Sequence, residues 1–118
     1  MKTEKSMKFT GLNDHHYHLY PHDIFYVEAD NICSWIICEG QAIHVSHPIL
    51  FMEKLLPDYF LRIHRSFLVN QYSITALYPH TVMMSNGFRL PVPKSKYQWL
   101  KSYLEDTGFS TGYPQSGK

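Results

Sequence analysis

The chain lacks the sequence features that mark membrane-spanning, secreted and enzymatic proteins. No apolar run approaches the length that crosses a bilayer, and the N-terminal MKTEKSMKF carries lysines without the apolar core of a secretory signal. There is no Gly-rich phosphate loop, no zinc-finger spacing, no G-x-S-x-G sequence and no pair of carboxylates on a shared face. These absences predict a cytoplasmic protein that is not an enzyme and holds no cofactor.

Cysteine is scarce as well, since the chain contains only Cys33 and Cys38. Five residues apart in one strand, these side chains point to opposite faces, which argues against a disulfide. Reduced thiols agree with a cytoplasmic location.

The 118 residues, 44% hydrophobic and 15% aromatic, suffice for one folded domain with a modest core and hardly for two.

Acidic residues are absent from residues 59–104, a segment that contains six Lys or Arg side chains. Residues 11–58 show the reverse balance, with seven acidic side chains against the single Lys54. The formal net charge of +1 therefore hides one acidic half and one basic half. Such asymmetry indicates a nucleic-acid or membrane partner for the basic half.

The basic half is centred on residues 60–70, which read FLRIHRSFLVN. Alternating apolar side chains predict a strand from Leu61, but Arg65 interrupts the apolar face. We therefore predict two short strands, at 60–63 and 67–69, joined by a tight turn at 64–66. That turn presents an arginine, a histidine and a hydroxyl group. It suits an anion or the edge of a nucleic-acid base, because arginine offers a planar fork of donors.

Short apolar runs separated by turn residues recur along the chain and predict a mainly β protein. Further strands are predicted at about residues 13–20, 23–28, 32–38, 42–45, 74–78, 81–84 and 88–92. The Asn86-Gly87 pair predicts a hairpin between the last two runs. Helical spacing predicts one central helix at 47–56, capped by Ser46, and a short C-terminal helix at 94–104, capped by Ser95.

Two other functions fit parts of the sequence. His15, His16 and His18 lie near Asp14 and could bind a metal or another ligand, although no closed ligand set has a recognisable spacing. Nine Tyr, seven Phe and two Trp would allow a small β-barrel that binds single-stranded nucleic acid by stacking. Binding of single strands by stacking requires several exposed aromatic rings in line on one sheet face.

Four segments together resemble a LytTR-type DNA-binding domain, the output module of many bacterial response regulators. They read DIFYVEADN at 23–31, HPILFMEKL at 47–55, FLRIHRSFLVNQYSI at 60–74 and NGFRLPVPKSKYQWLKSYL at 86–104. The resemblance covers about residues 19–104, and we predict a domain of this type at 10–105. The sequence at 1–9 and 106–118 predicts flexible termini. The resemblance implies about ten short strands in three packed antiparallel sheets, with one central helix and a short C-terminal helix.

The resemblance further implies sequence-specific binding of duplex DNA by a bacterial transcriptional regulator of a two-component system. Loops, and not a recognition helix, would enter successive major grooves of bent DNA. The matching positions are Arg65 and Lys94, in two separate turns. A third contact loop falls at 30–35, where Ser34 or Trp35 stands in place of the basic or imidazole side chain that the family often carries. A core position is nevertheless expected for the Trp35 ring.

Physical chemistry gives the candidate residues different roles. Arg65 can bind guanine O6 and N7 through two donors, or clamp a phosphate. His64 either donates to a phosphate or holds its turn together, and Asn70 is a further DNA-binding candidate that also suits a turn. Arg62 is expected to pair with an acidic residue of the first half. The cations that neutralise phosphates and set the register are Lys94, Lys96 and Arg89.

No receiver domain precedes the DNA-binding segment within the 118 residues, so the chain is either a stand-alone regulator or a fragment of a longer one. The native-looking Met1 favours the stand-alone regulator. Two or three contact loops cover little DNA, and we therefore expect a second protomer on repeated half-sites. Control by a regulatory protein partner is compatible with either form.

Overall fold

The computed structural model describes residues 4–108 and is built mainly from short strands. The ten strands are β1 (Met7–Thr10), β2 (His16–Leu19), β3 (Ile24–Asp30), β4 (Cys33–Cys38), β5 (Gln41–Val45), β6 (Phe60–His64), β7 (Phe67–Asn70), β8 (Ile74–Tyr78), β9 (Thr81–Met84) and β10 (Arg89–Pro91). The helices are α1 (Ile49–Leu55) and α2 (Lys94–Asp106), and two 3-10 turns lie at Pro21–Asp23 and Gln71–Ser73. The predicted mainly β fold with two helices is confirmed.

The strands form three antiparallel sheets, as predicted. The largest has five strands in the order β5-β4-β3-β7-β6, the second has the order β10-β9-β8, and β1 pairs with β2 alone. The two-stranded unit is joined to the edge of the largest sheet, because Gly11 bridges Val45 and the Leu12 amide donates to the His44 carbonyl at 2.8 Å.

The five-stranded sheet separates two apolar cores. Val27 in β3 and Leu68 in β7 belong to the core beneath α1 and the β1–β2 pair. Their neighbours Tyr26 and Val69 belong to the opposite core, beneath the three-stranded sheet and α2. Successive strand residues point to opposite faces, so each central strand serves both cores. This sandwiched sheet is the rigid frame from which the connecting turns project.

Both helices begin directly after a proline, and neither has the serine cap that we predicted. The N-cap residues are Pro48 and Pro93, and neither helix has a side-chain capping bond. The residue before a proline is disfavoured in helical conformation, so α1 cannot begin at His47, which precedes Pro48, and Ser46 cannot cap it. Helix α2 begins at Lys94, as predicted, so Ser95 lies inside it. No helix of residues 4–108 is long and apolar enough to cross a membrane.

The N-terminal boundary also differs from the prediction. Residues 7–9, expected to be flexible, lie in β1, and Phe9 is buried in the core beneath α1. Pairing with β2 orders a strand that is too short and too polar to be recognised from sequence. At the other end α2 continues to Asp106, and residues 109–118 of the predicted tail lie outside the described residues.

Cys33 and Cys38 are free thiols, as predicted. Burial raises the pKa of the Cys38 thiol to about 11. That thiol therefore stays protonated at neutral pH, which makes it a small apolar core side chain and a poor nucleophile.

Candidate nucleic-acid interface

The hairpin of β6 and β7 carries the turn that we predicted at residues 64–66. The strands pair from Phe60 opposite Asn70 to His64 opposite Phe67, with a shift of register between Arg62 and His64. One extra residue in β6 bulges the strand and changes the alternation just before the turn at Arg65 and Ser66. The predicted hairpin is confirmed, and the bulge accounts for the broken alternation.

The Arg62 guanidinium holds this turn from one side. Its Nη2 donates to the Arg65 carbonyl at 2.8 Å and its Nε donates to the His64 carbonyl at 3.1 Å. Its Nη1 donates to Glu53 Oε1 of α1 at 2.7 Å, which confirms the predicted pairing with an acidic residue of the first half. We call these three bonds the Arg62 clamp. The clamp uses the planar fork of arginine, which lysine does not have.

Two further bonds fix the turn from within and from its neighbour. The Ser66 amide donates to His64 Nδ1 at 3.0 Å, so this ring holds the turn together internally. The Ala29 amide of β3 donates to the Ser66 carbonyl at 2.8 Å. The backbone of the turn is therefore restrained by β3, by the His64 ring and by the Arg62 clamp.

Arg65 combines a fixed backbone with a free side chain. Its side chain is exposed, and among residues 4–108 its guanidinium makes no hydrogen bond and no ion pair. All five donors of the side chain thus remain available to a partner. A rigidly mounted, unpaired arginine is suited to recognise a planar acceptor pair.

A second cationic position lies at the start of α2. Lys94 is exposed and is the first helical residue after Pro93, at the end of the helix whose dipole favours an anion. The Val92 amide donates to the His80 carbonyl at 2.8 Å, which brings the β8–β9 turn next to this helix start. His80 is exposed there, and sequence reasoning missed it because the Pro79-His80 pair indicated only a strand break.

Arg89 and Lys96 are more strongly engaged with the protein than Lys94. The Arg89 guanidinium carbon lies 4.4 Å from the centroid of the Tyr78 ring. Lys96 Nζ donates to the Arg62 carbonyl at 3.2 Å and lies 5.4 Å from the Trp99 ring centroid. Lys96 therefore also ties α2 to the strand that carries the Arg62 clamp.

The β3–β4 hairpin carries the third predicted contact loop, but its tip differs from the prediction. Asp30 pairs with Cys33, so Asn31 and Ile32 form the tip. Asn31 adopts φ 57°, a conformation that asparagine tolerates well. Ile32 is 78% exposed. The residues that project at this tip thus lie two or more positions before the predicted Ser34 and Trp35.

Ser34 cannot serve as a DNA contact. It is 0% exposed, and its hydroxyl donates to the His47 carbonyl at 2.6 Å in the connection to α1. Trp35 is half-buried on the other face of β4, where its ring stacks on His44 at 4.0 Å between centroids. The Trp35 ring belongs to neither apolar core, so the core position expected for it is wrong.

Asn70 is the second predicted DNA contact that is buried in the structure. It is 1% exposed, its Nδ2 donates to the Ile24 carbonyl at 3.0 Å and its Oδ1 accepts from the Tyr72 amide at 2.9 Å. The alternative prediction of a turn residue is correct, because this side chain caps the 3-10 turn after β7.

The Arg65 turn is joined to both of the other candidate loops. Glu28 of β3 pairs with Phe67 of β7, which places the β3–β4 and β6–β7 turns at the same end of the five-stranded sheet. Lys96 connects α2 to β6 on the other side.

Two carboxylates of the acidic half are engaged in this region, since Glu53 accepts from Arg62 and Asp30 Oδ2 lies 2.9 Å from His44 Nε2.

The two alternative functions gain no support. Residues 4–108 contain no group of three or more His, Cys, Asp or Glu side chains that could hold a metal ion. His15 instead contacts Asn13 at 3.2 Å, and His16 contacts Thr10 at 3.1 Å. Within the same range no exposed aromatic ring lies in a strand, so no stacking platform is present; the exposed rings are Tyr20, Phe51, Tyr72, Phe88 and Trp99.

Comparison with known proteins agrees with this geometry. The family model of the LytTr DNA-binding domain matches residues 14–105. The chain belongs to the LytTR family. A solved LytTr DNA-binding domain of a Bacillus cereus response regulator superimposes with a TM-score of 0.70 at 28% sequence identity, covering 91% of this chain and 100% of that one.

Two curated relatives are both described as sensory transduction protein LytT. The Bacillus subtilis (strain 168) protein is 36% identical over 66 residues, which cover 51% of this chain and 27% of the relative. The Enterococcus faecalis (strain ATCC 700802 / V583) protein is 28% identical over 103 residues, which cover 82% of this chain and 41% of the relative. The LytTR chain thus spans less than half the length of either relative.

The Arg62 clamp generates a stability prediction. Arg62→Ala removes three hydrogen bonds and leaves two backbone carbonyls and the Glu53 carboxylate without their donor. We expect the free energy of unfolding in urea to fall by about 1–3 kcal/mol. Arg62→Lys should recover only part of the loss, because an ammonium cannot reach three acceptors in one plane. The matched control is Lys54→Ala at an exposed position of α1, where a change within about 0.5 kcal/mol is expected. Equal stability of Arg62→Ala and the control would contradict the clamp.

Proposed function

We propose that this LytTR domain binds duplex DNA at specific sequences, as the DNA-reading part of a bacterial transcriptional regulator in the cytoplasm. The observation that carries the proposal is the exposed, unpaired Arg65 guanidinium on a turn whose backbone is bound from three directions. Loops at one end of the domain enter successive major grooves. The domain works by binding and not by catalysis, in keeping with a family defined by DNA recognition.

Arg65 reads a base edge in this proposal. Guanine presents O6 and N7 as adjacent acceptors in the major groove, and two parallel arginine N–H groups match that pair. Reading one base requires that the guanidinium be delivered to a fixed place. The restrained backbone of the Arg65 turn meets that requirement.

Lys94 holds a phosphate. Its ammonium is a single charge on a flexible stem, which suits a charged oxygen better than a base edge. The first-turn amides of α2 and the helix dipole favour the same anion. Arg89 adds positive charge from the neighbouring strand β10, and the exposed His80 lies beside the helix start. These groups fix the register of the domain on DNA while Arg65 supplies sequence preference.

The first test of the proposal is the dependence of binding on strandedness and salt. The affinity should be higher for a duplex than for either of its single strands. The logarithm of the affinity should fall linearly with the logarithm of the salt concentration, by roughly 0.9 per neutralised phosphate. Fluorescence titrations of one labelled sequence in both forms provide the measurement. Tighter binding to the single strands, or affinity that salt does not change, would refute the proposal.

Substitution separates the roles of Arg65 and Lys94. Arg65→Ala should cost roughly 1–3 kcal/mol on the preferred duplex and relax the preference at one base position, and Arg65→Lys should recover only part of the affinity. Lys94→Ala should weaken binding to all sequences about equally and reduce the salt slope by about one. Titrations against specific and scrambled duplexes at two salt concentrations distinguish these outcomes.

Thermal melts are the control for both substitutions, since both side chains are exposed and their removal should leave the melting temperature nearly unchanged. If Arg65→Ala weakens binding to specific and scrambled duplexes equally, Arg65 contacts a phosphate. If Arg65→Ala unfolds the domain, the side chain is structural. Either result excludes base reading by Arg65.

A second protomer completes the proposed complex. One domain with three small turns covers little DNA, so high affinity requires two copies on repeated half-sites about one helical turn apart. Insertion of about half a helical turn between the half-sites places the copies on opposite faces of the duplex and should abolish cooperative binding. Cooperativity that survives this insertion would refute the proposed arrangement of two copies on one face of the duplex. Control of this domain by a regulatory protein partner is also part of the proposal.

A further inference from the structure

Ile32 is the most exposed large apolar side chain among residues 4–108, at 78%. It occupies the tip of the β3–β4 hairpin beside Asn31, whose positive φ supplies the bend. A β-branched apolar residue gives a turn no conformational advantage, since such residues favour strands. At this exposure Ile32 also contributes little to either core, so the fold itself does not require an isoleucine here.

Single exposed apolar side chains are common on protein surfaces, and Ile32 is distinguished from them by its position. The hairpin tip lies at the same end of the five-stranded sheet as the Arg65 turn, because β3 and β7 pair there. The bond from the Ala29 amide to the Ser66 carbonyl, at 2.8 Å, joins the Arg65 turn to β3 two residues before the tip. A duplex that meets Arg65 thus meets the β3–β4 tip on the same side of the domain.

The surroundings of the tip favour an apolar contact and not an ionic one. The adjacent carboxylate of Asp30 is hydrogen-bonded to the imidazole of His44, at 2.9 Å between Oδ2 and Nε2. Cys33, which follows the tip, is half-buried. Asn31 and Ile32 are the exposed residues of the tip, and the partly exposed Asp30 carboxylate beside them disfavours a phosphate contact there. A duplex offers one prominent apolar group in the major groove, the C5-methyl group of thymine.

We propose that Ile32 contacts the C5-methyl group of a thymine and adds preference for thymine at one position of the DNA site. This inference rests on the proposed binding of duplex DNA and names a second base that the domain reads. Arg65 recognises polar acceptors through hydrogen bonds, whereas Ile32 recognises a methyl group by excluding water from an apolar surface. The two contacts are chemically independent and can be removed one at a time.

The experiment replaces thymine by deoxyuridine, which lacks the methyl group and keeps every hydrogen-bonding group. The probe is the duplex that wild-type protein selects from a random pool, with each thymine replaced in turn. At one position the dissociation constant of wild-type protein should rise roughly four-fold, the effect expected for one methyl group lost from an apolar contact. Ile32→Ala should bind the unmodified duplex with a similar loss and should not distinguish thymine from uracil at that position.

Leu50→Ala is the matched control, because Leu50 is also an exposed aliphatic side chain, at 59%, but lies on α1. It should keep both the affinity and the thymine preference of wild-type protein. The inference is overturned if uracil is tolerated at every position, or if Ile32→Ala still distinguishes thymine from uracil. In either case, if wild-type protein still binds the selected duplex, the proposed binding of duplex DNA is not contradicted. Failure to select any duplex would overturn the proposed function, and this inference with it.

Discussion

The Arg62 clamp is the constraint on which the candidate interface depends. A two-residue turn at the end of a hairpin has little apolar contact of its own, and its backbone would sample many conformations if it were held only by the strands. Arg62 binds the carbonyls of His64 and Arg65 and anchors them to Glu53 of α1. At 23% side-chain exposure the guanidinium is partly shielded from water, which makes its charged bonds stronger than those of a surface ion pair. A helix with no direct role in the proposed DNA contact thus helps to fix the turn that carries Arg65, the arginine proposed to read DNA.

The architecture separates rigidity from recognition. Two apolar cores on opposite faces of one sheet hold β3 and β7 in place, whereas the side chains proposed to meet DNA stand on turns or at the starts of β10 and α2 and contribute little to either core. Three connections are linked by bonds between elements, from Ala29 to Ser66 and from Lys96 to Arg62. Three small contacts can therefore act as one surface without a recognition helix. Substitutions at the tips should change affinity more than folding, and substitutions in the clamp should change both.

Sequence patterns predicted the parts of the fold that local chemistry determines. Apolar alternation located most strands, the interrupted face located the hairpin of β6 and β7, and its apolar neighbours identified Arg62 as a partner for an acidic residue. The burial of Ser34 could not be predicted from the sequence. Strand alternation shows which side chains share a face of the sheet, but it does not show which face α1 covers. The start of α1 was misjudged because the restriction on His47 before Pro48 outweighs the preference for a serine cap, whereas α2 begins at Lys94 as predicted. His80 and Ile32 became visible only when pairing brought their turns beside Lys94 and Arg65.

A double-mutant cycle between Arg62 and Arg65 tests the central claim, that Arg62 acts in DNA binding by positioning Arg65. Dissociation constants for the preferred duplex would be measured for wild-type protein, Arg62→Lys, Arg65→Ala and the double variant. If Arg62 positions Arg65, Arg62→Lys weakens binding only while Arg65 is present, and the coupling free energy is at least about 0.5 kcal/mol. If the two losses add within about 0.3 kcal/mol, the residues act independently and the clamp has no part in recognition.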